Sequence, residues 1–147
     1  MNEASHLISR QIIVLGYGGL LPFYGCVFLA YQSDDPVFWT TGLHVYAGLI
    51  ASFLGAVYWG LASSEKFTIL QRKWMTVWGV TPAVLGWFCI LLPHSFRVGP
   101  LLALFVLMLA VDRLFLLREN FWEFWLSLRI RLTFGVIVAL TLSTWAV

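Results

Sequence analysis

Apolar residues gather into five long runs divided by short polar marks, a pattern that predicts five membrane-crossing helices. The runs cover residues 12–31, 43–62, 74–92, 100–117 and 131–147. A helix needs about 20 mostly apolar residues to cross a bilayer. The fifth run is the shortest and depends on Ile130 or on a small tilt to reach that length. The connections fall at residues 32–36, 63–73, 93–97 and 118–131. None is a Gly/Ser/Pro linker and no long repeat is visible, so residues 1–147 read as one all-α transmembrane domain. The first run exceeds the apolar core of about 7–15 residues found in a signal peptide, and no A-x-A-like site follows it. It is therefore kept as a helix.

Composition agrees with that reading. Of 147 residues, 61% are hydrophobic and only 11% charged, with a mean hydropathy of +0.87. A soluble domain is about 45–50% apolar and about 25% charged. Five crossings leave no room for a separate soluble catalytic domain, and no nucleic-acid partner is expected. Charge placement then sets an orientation. Arg10, Lys66, Arg72, Lys73, Arg113, Arg118, Arg129 and Arg131 share one side, against Arg97 alone on the other. Basic loops stay cytoplasmic, which predicts an N-terminus in the cytoplasm, or in a mitochondrion the matrix, and a C-terminus outside. Residues 118–131 read as an interfacial amphipathic helix between the fourth and fifth spans. There Phe121, Trp122, Phe124, Trp125 and Leu128 supply apolar area, while Glu119, Glu123 and Ser127 make a polar stripe.

Inside the second span, Gly48, Ser52, Ala56 and Gly60 recur every four residues, with Ala47, Ala51 and Gly55 beside them. Small residues let helix backbones approach closely in lipid. This row is expected to pack at the bundle centre, or against another subunit or a second copy. Gly135, Ala139 and Ser143 repeat the device in the fifth span. Pro22 and Pro82 lie inside the first and third spans, where each removes a backbone donor and should bend its helix. Paired bends can open a cavity, and Trp78 and Trp87 flank Pro82. Pro22, Trp78, Pro82 and Trp87 are therefore the candidate lining of a pocket for a lipid-like, quinone-like or tetrapyrrole-like ligand.

Chemistry-bearing residues are sparse. Asp112 and Arg113 are the only adjacent charges in an apolar run. Arg113 can snorkel to the headgroups, whereas Asp112 needs a basic partner, for which Arg129 or Arg131 lies at a suitable depth. Asp34, Asp35, His44, His94 and Arg97 stand near the outer border at no ligand-type spacing, and solvated loop polarity is the expected reading. No CxxC motif exists, and Cys26 and Cys89 read as inert thiols. No catalytic constellation, metal site or cofactor is expected. An acid–base site built from Asp112, Glu119 and Glu123 is the weakest of the options.

One run has a family likeness. Tyr46-Ala-Gly-Leu-Ile-Ala-Ser-Phe-Leu-Gly-Ala-Val-Tyr-Trp-Gly60 resembles the signature of the transmembrane protein 69-like family. Gly19-Leu-Leu-Pro-Phe23, Trp78-Gly-Val-Thr-Pro82, Asp112-Arg113 and Leu128-Arg-Ile-Arg-Leu-Thr133 are similar too, in order along nearly the whole chain. Tyr58 stands where many bacterial members carry His or Arg, which counts against a ligand at that position. The resemblance implies a small multi-helix protein of the bacterial or mitochondrial inner membrane with no established activity. Sparse chemistry, small-residue rows and short loops together suggest a non-catalytic accessory subunit or assembly factor that binds partner helices and lipid. The alternative is a binding or transport protein for a lipid-like ligand.

Overall fold

A computed structural model describes residues 3–116 and 121–147, the side chains of 3–8, 116 and 121–123 excepted. Its helices are α1 (Glu3–Gly18), α2 (Leu21–Gln32), α3 (Pro36–Ala62), α4 (Ile69–Leu91), α5 (Val98–Leu116) and α6 (Phe121–Ser143), with a 3-10 turn at His94–Phe96. No strand occurs among the described residues. Five stretches are long and apolar enough to cross a membrane: Ser9–Gln32, Pro36–Ala62, Ile69–Leu91, His94–Phe115 and Phe124–Ser143. Large apolar side chains such as Leu15 (76% exposed) and Phe53 (68%) crowd the outer surface. Water does not tolerate so continuous an apolar exterior; a bilayer does. The chain is compatible with an integral membrane protein.

The helices begin where capping chemistry starts them, which is earlier than the apolar runs suggest. Asp35 accepts the Phe38 N–H at 3.1 Å at the head of α3, and Pro36 occupies the first turn, where its missing donor is harmless. α3 thus gains residues 36–42, and its 27 residues extend about 40 Å at about 1.5 Å per residue. α4 opens on a capping box in which Thr68 accepts the Gln71 N–H at 3.3 Å and Gln71 accepts the Thr68 N–H at 2.9 Å. At the other end of α3, Arg72 Nε donates to the Ala62 carbonyl at 2.7 Å. α6 likewise begins well before residue 131, so residues 121–131 continue into the fifth span without interruption. Arg118 and Glu119 of the anticipated interfacial stretch lie outside the described residues.

The two prolines behave differently. Near Pro22 the first span divides into α1 and α2. Gly19 N–H bonds back to Leu15 and Gly16 carbonyls, and Leu20 N–H to Tyr17, a tightened last turn. The break falls at Gly19 and Leu20, ahead of Pro22, which has no N–H to bond back to the Gly18 carbonyl and so cannot continue the α1 ladder. Tyr46 of α3 donates to the Gly19 carbonyl at 3.2 Å, meeting the need for internal partners in lipid. Pro82, in contrast, sits within one helix from Ile69 to Leu91.

α3 forms the hub, packing on α2, α4, α5 and α6. Its closest approach is to α4, glycine against glycine. A Cβ added at Gly55 would lie 2.8 Å from the Gly79 carbonyl oxygen and 3.0 Å from the Pro82 ring, and one at Gly86 would lie 3.4 Å from Gly48 Cα. The row that seals this seam is Ala47, Gly48, Ala51 and Gly55, all buried, while Ser52 is half-buried and Ala56 and Gly60 are exposed. The four-residue row runs obliquely around the helix, so its two ends fall on different faces. On α6, Ala139 is fully buried, and a Cβ on Gly135 would meet Leu20 at 2.8 Å. Tyr24 donates to the Gly135 carbonyl at 3.1 Å and Tyr31 to Leu142 at 3.0 Å, stitching α2 to α6.

Candidate functional site: a cavity beside a buried ion pair

Two polar features interrupt the apolar interior, and one of them borders empty space. Asp112 of α5, Arg129 of α6 and Tyr58 of α3 meet where three helices converge. Arg129 Nε lies 2.6 Å from Asp112 Oδ2, and Tyr58 donates its hydroxyl to Asp112 Oδ1 at 2.8 Å. Asp112 and Arg129 are each 4% exposed. Both carboxylate oxygens thus have a donor, which a charge buried among apolar groups requires. Arg131 does not join them and is exposed. Two residues on a helix are about 200° apart at about 3.6 residues per turn, so only one of the two arginines can face α5.

Beside this pair lies a cavity of about 360 Å³, within the range of about 300–1,000 Å³ typical of small-molecule sites. α1 rests on α6, and the interruption before Pro22 separates it from the line of α2. The space left over is walled by Ile12 and Leu15 from α1, Ile50 and Phe53 from α3, and Trp125 and Leu132 from α6. Phe23 and Phe105 contribute from α2 and α5. Arg129 and Thr133, one helical turn apart on α6, are the polar side chains in the lining. Thr133 is 2% exposed, and its hydroxyl has no hydrogen-bond partner among the described residues.

The residues expected to line a pocket around the prolines stand apart from this cavity. None of Pro22, Trp78, Pro82 and Trp87 lines the cavity. Pro82 is buried against Gly55 in the α3–α4 seam. Trp78 is buried and stacks on Trp74 with centroids 5.7 Å apart. Trp87 is 57% exposed, and Pro22 lies exposed at the start of α2. Gly16 and Gly19, small residues on either side of the α1 terminus, help to line the cavity instead. They were visible in the sequence as glycines near a proline, but nothing local signals which helix they would leave a gap against.

At the opposite end of the bundle, His44 departs from the expectation of solvated loop polarity. It is 1% exposed because α3 starts at Pro36 and carries it inside. Its ring lies 5.2 Å from that of His94, and neither of its nitrogens has a partner among the described residues. His94 Nε2 is 2.9 Å from Thr40 Oγ1. Asp35 is engaged as a helix cap, and Arg97 Nε donates to the Leu92 carbonyl at 2.8 Å. Among the described residues, no three His, Cys, Asp or Glu side chains gather as a metal site would require. Cys26 and Cys89 are free thiols.

Against known proteins, residues 8–145 match one sequence family, described as "Protein of unknown function (DUF3429)". No curated protein and no solved structure matches the chain.

Proposed function

The chain belongs to the DUF3429 family of proteins of unknown function, and on that footing we propose that it binds an amphipathic, lipid-like ligand within the membrane. One observation carries this reading: a cavity of about 360 Å³ with largely apolar walls and two polar side chains, Arg129 and Thr133, on its α6 side. Binding sites for small molecules combine a largely apolar lining with a few polar groups that fix orientation. The experiment is native mass spectrometry of the protein released from membranes in mild detergent. Wild type should retain an amphiphile, and Ile50→Phe, which grows a ring into the cavity, should lower its occupancy at least tenfold. A folded Ile50→Phe protein that retains the same amphiphile in the same amount would refute the reading.

The accessory-subunit reading has its own support. Ala56 and Gly60 leave an exposed smooth patch on α3, and a Cβ on Gly60 would meet nothing within 4 Å. Such a patch suits close approach of a helix from another subunit or a second copy. Co-purification of a specific membrane protein, lost in Gly60→Leu, distinguishes the two readings.

We further infer that the first turns of α6, with Trp125 among them, lie at headgroup depth. The basic-residue imbalance supports an orientation with the Arg129 end of the bundle toward the cytoplasm or matrix, and the family resemblance supports an inner membrane, bacterial or mitochondrial. The run from Tyr46 to Gly60 supports the narrower transmembrane protein 69-like assignment.

A further inference from the structure

We propose that the ligand's head is uncharged and carries a carbonyl-type oxygen, which accepts hydrogen bonds from Arg129 and Thr133. This rests on the reading of the cavity as a ligand site and adds the chemistry the site selects.

Arg129 is the only charged side chain among the described residues lining the cavity, and Asp112 at 2.6 Å already balances it. Bringing an anionic head into this space would leave one uncompensated negative charge in surroundings of low dielectric, which is strongly disfavoured. A cationic head would face a guanidinium. Charge therefore favours a neutral molecule.

Donor counting narrows the head further. A guanidinium carries five N–H donors and no acceptor. Among the described residues its only hydrogen bond is the one from Nε to Asp112. Asp112, in contrast, is occupied on both oxygens, by Arg129 and by Tyr58. One turn along α6, the Thr133 hydroxyl lacks a partner although the residue is 2% exposed. The α6 wall thus offers more donors than acceptors, the Thr133 hydroxyl being the one side-chain acceptor among the described lining residues beside the spare Arg129 N–H groups. The Thr133 hydroxyl is the group here that is fully buried without a partner, which is costly, and a carbonyl oxygen matches it, and the remaining Arg129 N–H groups, without adding charge. A quinone ring and an acyl ester of a glycerolipid both supply that oxygen on an apolar body.

The test measures the thermal unfolding midpoint of the full-length protein in a nonionic detergent against graded concentrations of four probes. These are a decyl-substituted benzoquinone, decanoylglycerol, decanesulfonate and dodecane. Support consists of a midpoint rise with either carbonyl probe at concentrations at least tenfold below those needed for the sulfonate or the alkane. The stronger of the two identifies the source, ring or ester. Thr133→Val should then weaken the preferred probe about fivefold, the size of one hydrogen bond, without lowering the ligand-free midpoint. Sulfonate or dodecane acting as well as the carbonyl probes would overturn the head assignment and leave the cavity reading standing. So would a Thr133→Val protein that binds like wild type. If no probe raises the midpoint of the wild-type protein, both readings fall together.

Discussion

Asp112 is held from two directions, by Arg129 at 2.6 Å and by the Tyr58 hydroxyl at 2.8 Å. Breaking a buried ion pair by removing one member costs about 3–5 kcal/mol, because the survivor is stranded, whereas replacing both with apolar groups is often neutral. Asp112→Leu and Arg129→Met are each expected to destabilise by that amount, and the double variant to recover most of it. Tyr58→Phe should cost about 1–2 kcal/mol. Reversible denaturation in mixed micelles reads all four, and strictly additive losses would exclude the coupling. At this scale the sequence was partly legible. A lone acid in an apolar run demands a basic partner, but the choice of Arg129 over Arg131 depends on how α6 is rotated against α5. Tyr58 offered no sign, since its partner lies 54 residues away.

Among the elements, the α3–α4 seam decides which small residues matter. Gly55→Ala puts a methyl group 2.8 Å from a backbone oxygen and 3.0 Å from the Pro82 ring, neither of which yields like a flexible side chain. It should destabilise by about 1–3 kcal/mol. Gly60→Ala enters open space and should be neutral or stabilising by up to about 1 kcal/mol, as Ala favours helix. Thermal unfolding of the two variants side by side checks the contrast. Apolar runs revealed that these helices exist, because burial in lipid selects such residues. They did not reveal the ends, which Asp35 and Thr68 set through side-chain caps. Nor did they reveal that Pro22 would divide its span while Pro82 would not. The difference lies in Gly18 and Gly19 on one side and in the α3 seam on the other, and only the second is a tertiary effect.

For the molecule as a whole, the distribution of basic residues predicts the direction of insertion. In a Cys26→Ala, Cys89→Ala background, Glu65→Cys and Ser95→Cys mark opposite ends of the bundle. A membrane-impermeant maleimide applied to intact bacterial cells with a permeabilised outer membrane should label Ser95→Cys and spare Glu65→Cys. The reverse pattern would invert the topology. Architecture at this scale was legible because solvent choice is written in composition, whereas the cavity was not, since it depends on how α1, α3 and α6 pack around it. Its rim includes Leu15 and Phe53, both more than two-thirds exposed on the apolar exterior. For the ligand proposed above, this rim predicts sideways entry, from among acyl chains rather than from water. Occupancy then follows the mole fraction of ligand dissolved in the bilayer, so a compound almost insoluble in buffer can still saturate the protein, and diluting membranes with ligand-free lipid will empty it where diluting with buffer will not.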